Sequence, residues 1–353
     1  MELAVSPERS RDIQYINRLR IASIYAVVTA HVTIWLTMAS TPFTFNWWLG
    51  CWIFYLCFCS IPVFVMISGA LLLGDSRRET VWQFYRKRLV RLGVPLVAWT
   101  VVYLAFRAFA EHEPLSVARV AHLLMMADPY YHLWFLYMIL GLYLVTPLLR
   151  VFVRRSSCTQ RLFVIVVMLV LSNAYFQVDA LLWNRQRSVL TMFIPYIAYY
   201  LCGYELSRID PRRIPSKYFL VPIVVAAAYL VAFSGVFLDR QGGVGARFVF
   251  DFFSPPVVFM SVAIFWAAWL HDMTAKPLEG VRRTAVEWIA STTLGVYVLH
   301  PLVLAYIRNR LSSHAGNGTF LAGVILIPPV TFAACYAITT VLMNIPVVRR
   351  TVC

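Results

Sequence analysis

Two basic side chains, Arg20 and His31, stand eleven residues apart in the first long apolar segment of the chain. At roughly 100° per residue this is about three helical turns, so both face the same way, ~16 Å apart along the axis. An ionisable side chain inside a lipid-spanning helix is costly and marks a cavity or a partner. A guanidinium at the mouth of such a helix can hold phosphates. An imidazole farther in can accept a proton or an acyl group near neutral pH. That separation suits a long substrate with a charged head and a reactive far end. Coenzyme A thioesters have this form, with a phosphorylated nucleotide at one end and sulfur at the end of a pantetheine arm.

Other residues could join this chemistry, each with a plainer role beside it. Arg86, Lys87, Arg88 and Arg91 form the densest basic cluster, just before the third apolar segment. They read as topology anchors or as a phosphate site, with Arg88 and Arg91 the better placed. His132 follows Tyr130-Tyr131 and precedes Trp134, a pattern of an interfacial aromatic belt or of acceptor binding. His300 would lie ~22 Å into a segment that begins near Ala285, with Tyr297 and Pro301 shaping a second acceptor-binding candidate. Ser68-Gly69 is expected to serve close helix packing, because no base neighbours the serine. Glu205 and Glu287 read as solvated groups at segment ends, and Asp251 as a partner for Arg247 one turn earlier. His112, His122, His271 and His314 receive no role. The chain has no HExxH, no CxxC pair and no clustered carboxylates, so no metal is expected.

The elements that must hold these residues are membrane helices. The 353 residues are 61% hydrophobic and 13% charged, with a mean hydropathy of +0.71. Long apolar runs bounded by charge clusters mark a polytopic membrane protein, all-α, in one domain over residues 1–353 with a cytoplasmic tail at 1–15. Ten spans are expected near 18–40, 47–73, 92–110, 132–152, 162–181, 189–207, 218–238, 251–270, 285–307 and 319–345. Their internal prolines are tolerated where neighbouring helices satisfy the freed carbonyls. The net charge of +15 does not point to nucleic acid, because the basic residues lie between the apolar runs. With the N-terminus inside, 23 of the 31 Lys and Arg fall on the cytoplasmic side and eight on the other. This asymmetry predicts N-in, C-in topology. The first run lacks a small-residue cleavage site and reads as a retained helix. The seven cysteines have no metal-type spacing and read as small apolar residues. Residues 115–126 suit an amphipathic helix that lies on the membrane, caps a cavity or re-enters as a packing element.

Four stretches carry a family resemblance. Asn17-Arg18-Leu19-Arg20 with His31 resembles the N-terminal signature of the integral-membrane acyltransferase-3 family. Ser60-Ile61-Pro62-Val63-Phe64-Val65-Met66-Ile67-Ser68-Gly69 is similar to a second family stretch. So is His132-Leu133-Trp134-Phe135-Leu136-Tyr137 with the following 141–147 run. The last is Thr293-Leu294-Gly295-Val296-Tyr297-Val298-Leu299-His300-Pro301. Their order also matches, and the likeness covers almost the whole chain. Asn17 departs from the family, which commonly has Asp there, so an ion pair to Arg18 or Arg20 is lost. The short form resembles bacterial O-acetyltransferases of surface polysaccharides, such as the one acting on enterobacterial common antigen.

The resemblance implies acyl transfer from acyl-CoA, most often acetyl-CoA, to a carbohydrate hydroxyl in the bacterial inner membrane. His31 would be the essential residue, either deprotonating the acceptor or carrying the acyl group itself. Arg20, Arg88 and Arg91 would hold the donor. His132, Trp134, Tyr297 and His300 would meet a carbohydrate or lipid-linked glycan acceptor. Two other classes compete. Ten spans with broken helices and a buried ionisable pair also suit a secondary transporter or sugar exporter, although no inverted repeat is visible. The other large class of histidine-dependent membrane acyltransferases would place its histidine well into the chain.

Overall fold

A computed structural model describes residues 7–74, 79–178, 188–209, 221, 223–226, 228–230, 252–274, 278–311 and 320–353. The described residues are helices and turns with no strand among them, and the fold is an all-α membrane helix bundle. Its first half comprises α1 (Pro7–Met38), α2 (Phe45–Phe58), α3 (Ser60–Leu73), α4 (Val81–Arg88), α5 (Val94–Phe109), α6 (Val117–Met125) and α7 (Trp134–Arg155). The second comprises α8 (Cys158–Val178), α9 (Ile197–Leu206), α10 (Pro255–Thr274), α11 (Gly280–Ser291), α12 (Thr293–Leu311), α13 (Phe320–Met343) and α14 (Pro346–Val352).

Six stretches of described helix are long and apolar enough to cross a membrane, or seven when the bent α11–α12 pair is taken as one. Of the expected spans, 189–207 is built instead as turns followed by the ten-residue α9. Most of 218–238 lies outside the described residues, as do Asp251, Arg247 and His314. Helix α1 starts at Pro7, so most of the expected tail is helical.

α1 is the central helix, packed against α2, α3, α10, α11, α12 and α13. Ile24, Val28 and Val32, each one turn from the last, are fully buried. Arg20 and His31 are half-buried, so the helix that anchors the core also carries the two basic groups toward cavities.

Three departures from straight helices shape the interior. The second span breaks at Cys59 between α2 and α3. Pro62 has no N–H to give the Phe58 carbonyl, and its ring crowds that oxygen. Between α4 and α5, Leu89–Gly93 form a π-helical turn. The helix is therefore continuous from Val81, and the basic cluster lies within it rather than before it. At Thr292 the chain bends by 56° between α11 and α12. There the hydroxyls of Thr292 and Thr293 donate to the carbonyls of Ile289 and Ala290, competing with the backbone ladder. His300 is thus seven residues into α12, ~10 Å from its start, instead of deep in one continuous span.

α3 and α9 approach to backbone contact. A Cβ on Gly69 would strike the Tyr200 carbonyl, and one on Gly203 would strike the Met66 carbonyl. Small residues at both crossings let the backbones touch, while the Ser68 hydroxyl merely bonds back to Phe64 O at 3.1 Å. Arg150 closes the end of α3, its Nε donating to Leu72 O at 2.8 Å. Glu205 corrects the solvated reading: it is buried on α9 and paired with Arg161. Glu287 is paired too, with Arg283 at 2.8 Å on an exposed helix face.

α6 forms within the expected amphipathic stretch, capped by Ser116. The loop before it is clipped by Glu113, which bridges Arg107 at 2.5 Å and Arg119 at 3.0 Å. The hydrogen bond from Arg107, seconded by Arg119, holds the Glu113 carboxyl below the usual carboxylate range. All seven cysteines are free thiols.

Candidate active site

Three guanidiniums meet at one end of the bundle. Arg20 comes from α1, Arg88 from the end of α4 and Arg91 from the π turn. The tighter advance of the π turn is a common device at functional sites; here it serves a stretch whose Arg88 and Arg91 face one cavity. That cavity is about 190 Å³ and is also lined by Ser68, Tyr143 and Tyr297. Arg20 donates to Thr293 Oγ1 at 3.2 Å. Arg88 lies over Phe84 and Tyr143, 5.3 and 5.9 Å from the ring centroids, and its buried Nε has no partner among the described residues.

Among the described residues no carboxylate pairs with Arg20, Arg88 or Arg91. One turn before Arg20 stands Asn17, which carries no charge to neutralise it. Uncompensated cations in a part-buried space repel one another unless an anion enters. Guanidinium forks match phosphate oxygens in geometry as well as charge.

Farther along α1 the imidazoles gather. His31 stacks on His300, with ring centroids 5.2 Å apart. His300 in turn stands 5.4 Å from His132. Tyr131 lies 5.0 Å from His31, and Tyr103 4.8 Å from His132. The tight turn before α7 places His132, whose carbonyl accepts from the Tyr297 hydroxyl. That contact joins this turn to α12.

His300 Nδ1 sits 2.6 Å from Tyr297 O. A carbonyl only accepts, so Nδ1 carries the hydrogen, and in a neutral ring the lone pair is on Nε2. This Nε2 is buried without a partner among the described residues, as are both ring nitrogens of His132. Buried polar atoms are nearly always satisfied, so a concentration of exceptions beside His31 marks a place where other polar groups arrive. The three imidazoles do not form a metal cage: among the described residues no group of His, Cys, Asp or Glu is arranged to hold a metal ion.

His31 also lines a second cavity, of about 320 Å³, with Trp35, Tyr130, Tyr131 and Arg308. Tyr297 joins the arginine cavity to the imidazoles. It borders the arginine cavity, while its ring is 5.3 Å from His132 and 5.9 Å from His300.

The structure therefore brings Arg20, Arg88 and Arg91 to one space and gathers His132, Tyr297 and His300 around His31. It leaves Trp134 apart, packed on Phe252, Tyr196 and Phe135 at 5.9 to 6.2 Å. Trp35 was not singled out in the sequence and Arg308 counted only as an outer-loop cation, whereas it lies in α12; spacing marks both. Trp35 is one turn beyond His31, and Arg308 follows Pro301 by seven residues on the same helix face.

The profile of a family described as an acyltransferase domain, the acyltransferase-3 type, matches residues 13–346. No curated protein and no solved structure matches the chain.

Proposed function

The chain belongs to the acyltransferase-3 family, and on that premise we propose that this membrane acyltransferase is an O-acyltransferase moving an acyl group, acetyl foremost, from cytosolic acyl-CoA to a hydroxyl of a cell-envelope glycan or glycolipid. The observation that carries the reading is the pairing of an unneutralised arginine cavity with His31 on the same face of α1. The phosphates of the donor would bind Arg20, Arg88 and Arg91. The pantetheine arm would run past Tyr297 toward His31, which requires that ring to move aside. The charge asymmetry of the loops supports a cytoplasmic arginine mouth in a bacterial inner membrane.

Two routes for His31 fit the cavity. As general base it takes the proton of the acceptor hydroxyl while that oxygen attacks the thioester carbonyl; the C–S bond breaks and the proton passes to the CoA thiolate. As nucleophile its nitrogen takes the acyl group first, releasing CoA, and the acceptor oxygen then displaces the imidazole.

The test is transfer of label from radiolabelled acetyl-CoA to envelope glycans by purified protein in lipid nanodiscs. His31→Ala should lose transfer by at least about 10³-fold while abundance and donor binding stay near wild type. A His31→Ala protein that keeps most of its activity would sink the proposed chemistry. Wild-type protein that neither binds CoA nor labels any acceptor would sink the reading as a whole.

A further inference from the structure

The cavity on the far side of His31 has its own chemistry. Residues of α1 one and two turns beyond His31, Trp35 and Met38, form one wall. Pro301 and Arg308 of α12 form the facing wall, and Tyr130 and Tyr131 close a third side. Its volume of about 320 Å³ lies at the lower end of the range for small-molecule sites. Flat aromatic faces with hydroxyl edges suit a sugar ring, whose C–H faces stack and whose hydroxyls bond.

Among the described residues one charged side chain lines this space. Arg308 is exposed at the end of α12, ~12 Å along the axis from His300. Among the described residues no carboxylate pairs with it. Glu111, in the loop after α5, accepts from the Tyr130 hydroxyl at 2.9 Å. Beside His31, at the other end of the space, lie the unpartnered nitrogens of His132 and His300. A ligand that fits both ends has hydroxyls at one and an anion at the other.

We infer that this cavity is the acceptor site and that the acceptor is an anionic saccharide. One of its hydroxyls reaches His31 while a carboxylate or phosphate pairs with Arg308. The inference rests on the acyltransferase reading and adds the acceptor's charge to it. Two sources supply such an anion: an acidic sugar within the glycan, or the diphosphate of a polyprenyl carrier.

Wild type, Arg308→Gln and Arg308→Lys would be compared in nanodiscs of neutral lipid. Three acceptors would be offered: a neutral oligosaccharide, a free uronate-containing oligosaccharide and a polyprenyl-diphosphate-linked neutral sugar. Arg308→Gln should raise KM for anionic acceptors by about 10- to 100-fold, with Arg308→Lys recovering much of the loss. Affinity for acetyl-CoA should not change. A response confined to the uronate identifies an acidic sugar, and one confined to the lipid-linked acceptor identifies the carrier diphosphate. Neutral saccharides used by wild type as well as anionic ones would overturn the inference and leave the enzyme reading standing. So would an Arg308→Gln protein with unchanged KM throughout, as expected if Arg308 only reaches lipid headgroups. Absence of both donor binding and transfer in wild type is the separate result that removes the enzyme reading itself.

Discussion

Replacing Arg20 by alanine removes one of three guanidiniums from the donor cavity and little else. Its described contact with the protein is one hydrogen bond, to Thr293 Oγ1 at 3.2 Å. That hydroxyl keeps its own bond to Ala290 O at 2.8 Å after the substitution. The fold should therefore lose about 1.5 kcal/mol, the low end for a long bond from a charged group, partly offset by relief of repulsion from Arg88 and Arg91. A bound phosphate would instead lose a charge-assisted contact of about 1.5–3 kcal/mol, which corresponds to an increase in Kd of about 10- to 150-fold. Titration calorimetry with CoA reads this directly, and a thermal melt of the same sample reads the fold. His31→Ala is the control: lying ~16 Å farther along α1, it should leave CoA affinity within about twofold. A Kd for Arg20→Ala within threefold of wild type would refute the assignment of this cavity. A collapse of the melting temperature would refute the claim that Arg20 is barely tied to the fold.

Two further outcomes follow from the packing and the loop clip. Gly203→Ala forces a methyl against the Met66 carbonyl where α3 and α9 touch. A cost of about 3 kcal/mol from overpacking should lower the melting temperature by about 5–10 °C; an unchanged melt would mean that the helices part easily. Glu113 titrates below the usual carboxylate range because Arg107 and Arg119 bond its charged form. Its contribution is therefore present above the unfolded value of about 4.3 and lost as pH falls through the lower folded value. Amide exchange in residues 110–127, corrected for intrinsic rate, should rise on acidification in wild type. In Glu113→Gln it should be raised already at neutral pH and vary less; identical profiles would rule out the clip.

The sequence made the Arg20–His31 line legible because both lie on one regular helix, where spacing alone sets direction. Arg88 and Arg91 were legible as a dense cluster, although the π turn was not. His132, Tyr297 and His300 were legible only as separate candidates, and no local pattern shows that they approach His31. That approach depends on the bend at Thr292 and on the turn before α7, where Ala127 takes a φ of 55°. The packing of Trp134 on Phe252, Tyr196 and Phe135 was hidden in the same way. Residues within one turn face different ways, and it is Tyr131 rather than Trp134 that touches His31. Glu205 looked solvated because its partner, Arg161, is 44 residues away and nothing near Glu205 announces it. Trp35 and Arg308 were readable in principle. Each continues a helix face already marked by His31 or by Pro301.

The position of Tyr297 has an electrical consequence. A bilayer potential of 100 mV acts on a moving elementary charge with about 2.3 kcal/mol. With CoA phosphates held at the arginine cavity and only a neutral acyl group passing the Tyr297 ring, no net charge crosses the field. On the proposed donor arrangement, turnover would be independent of membrane voltage.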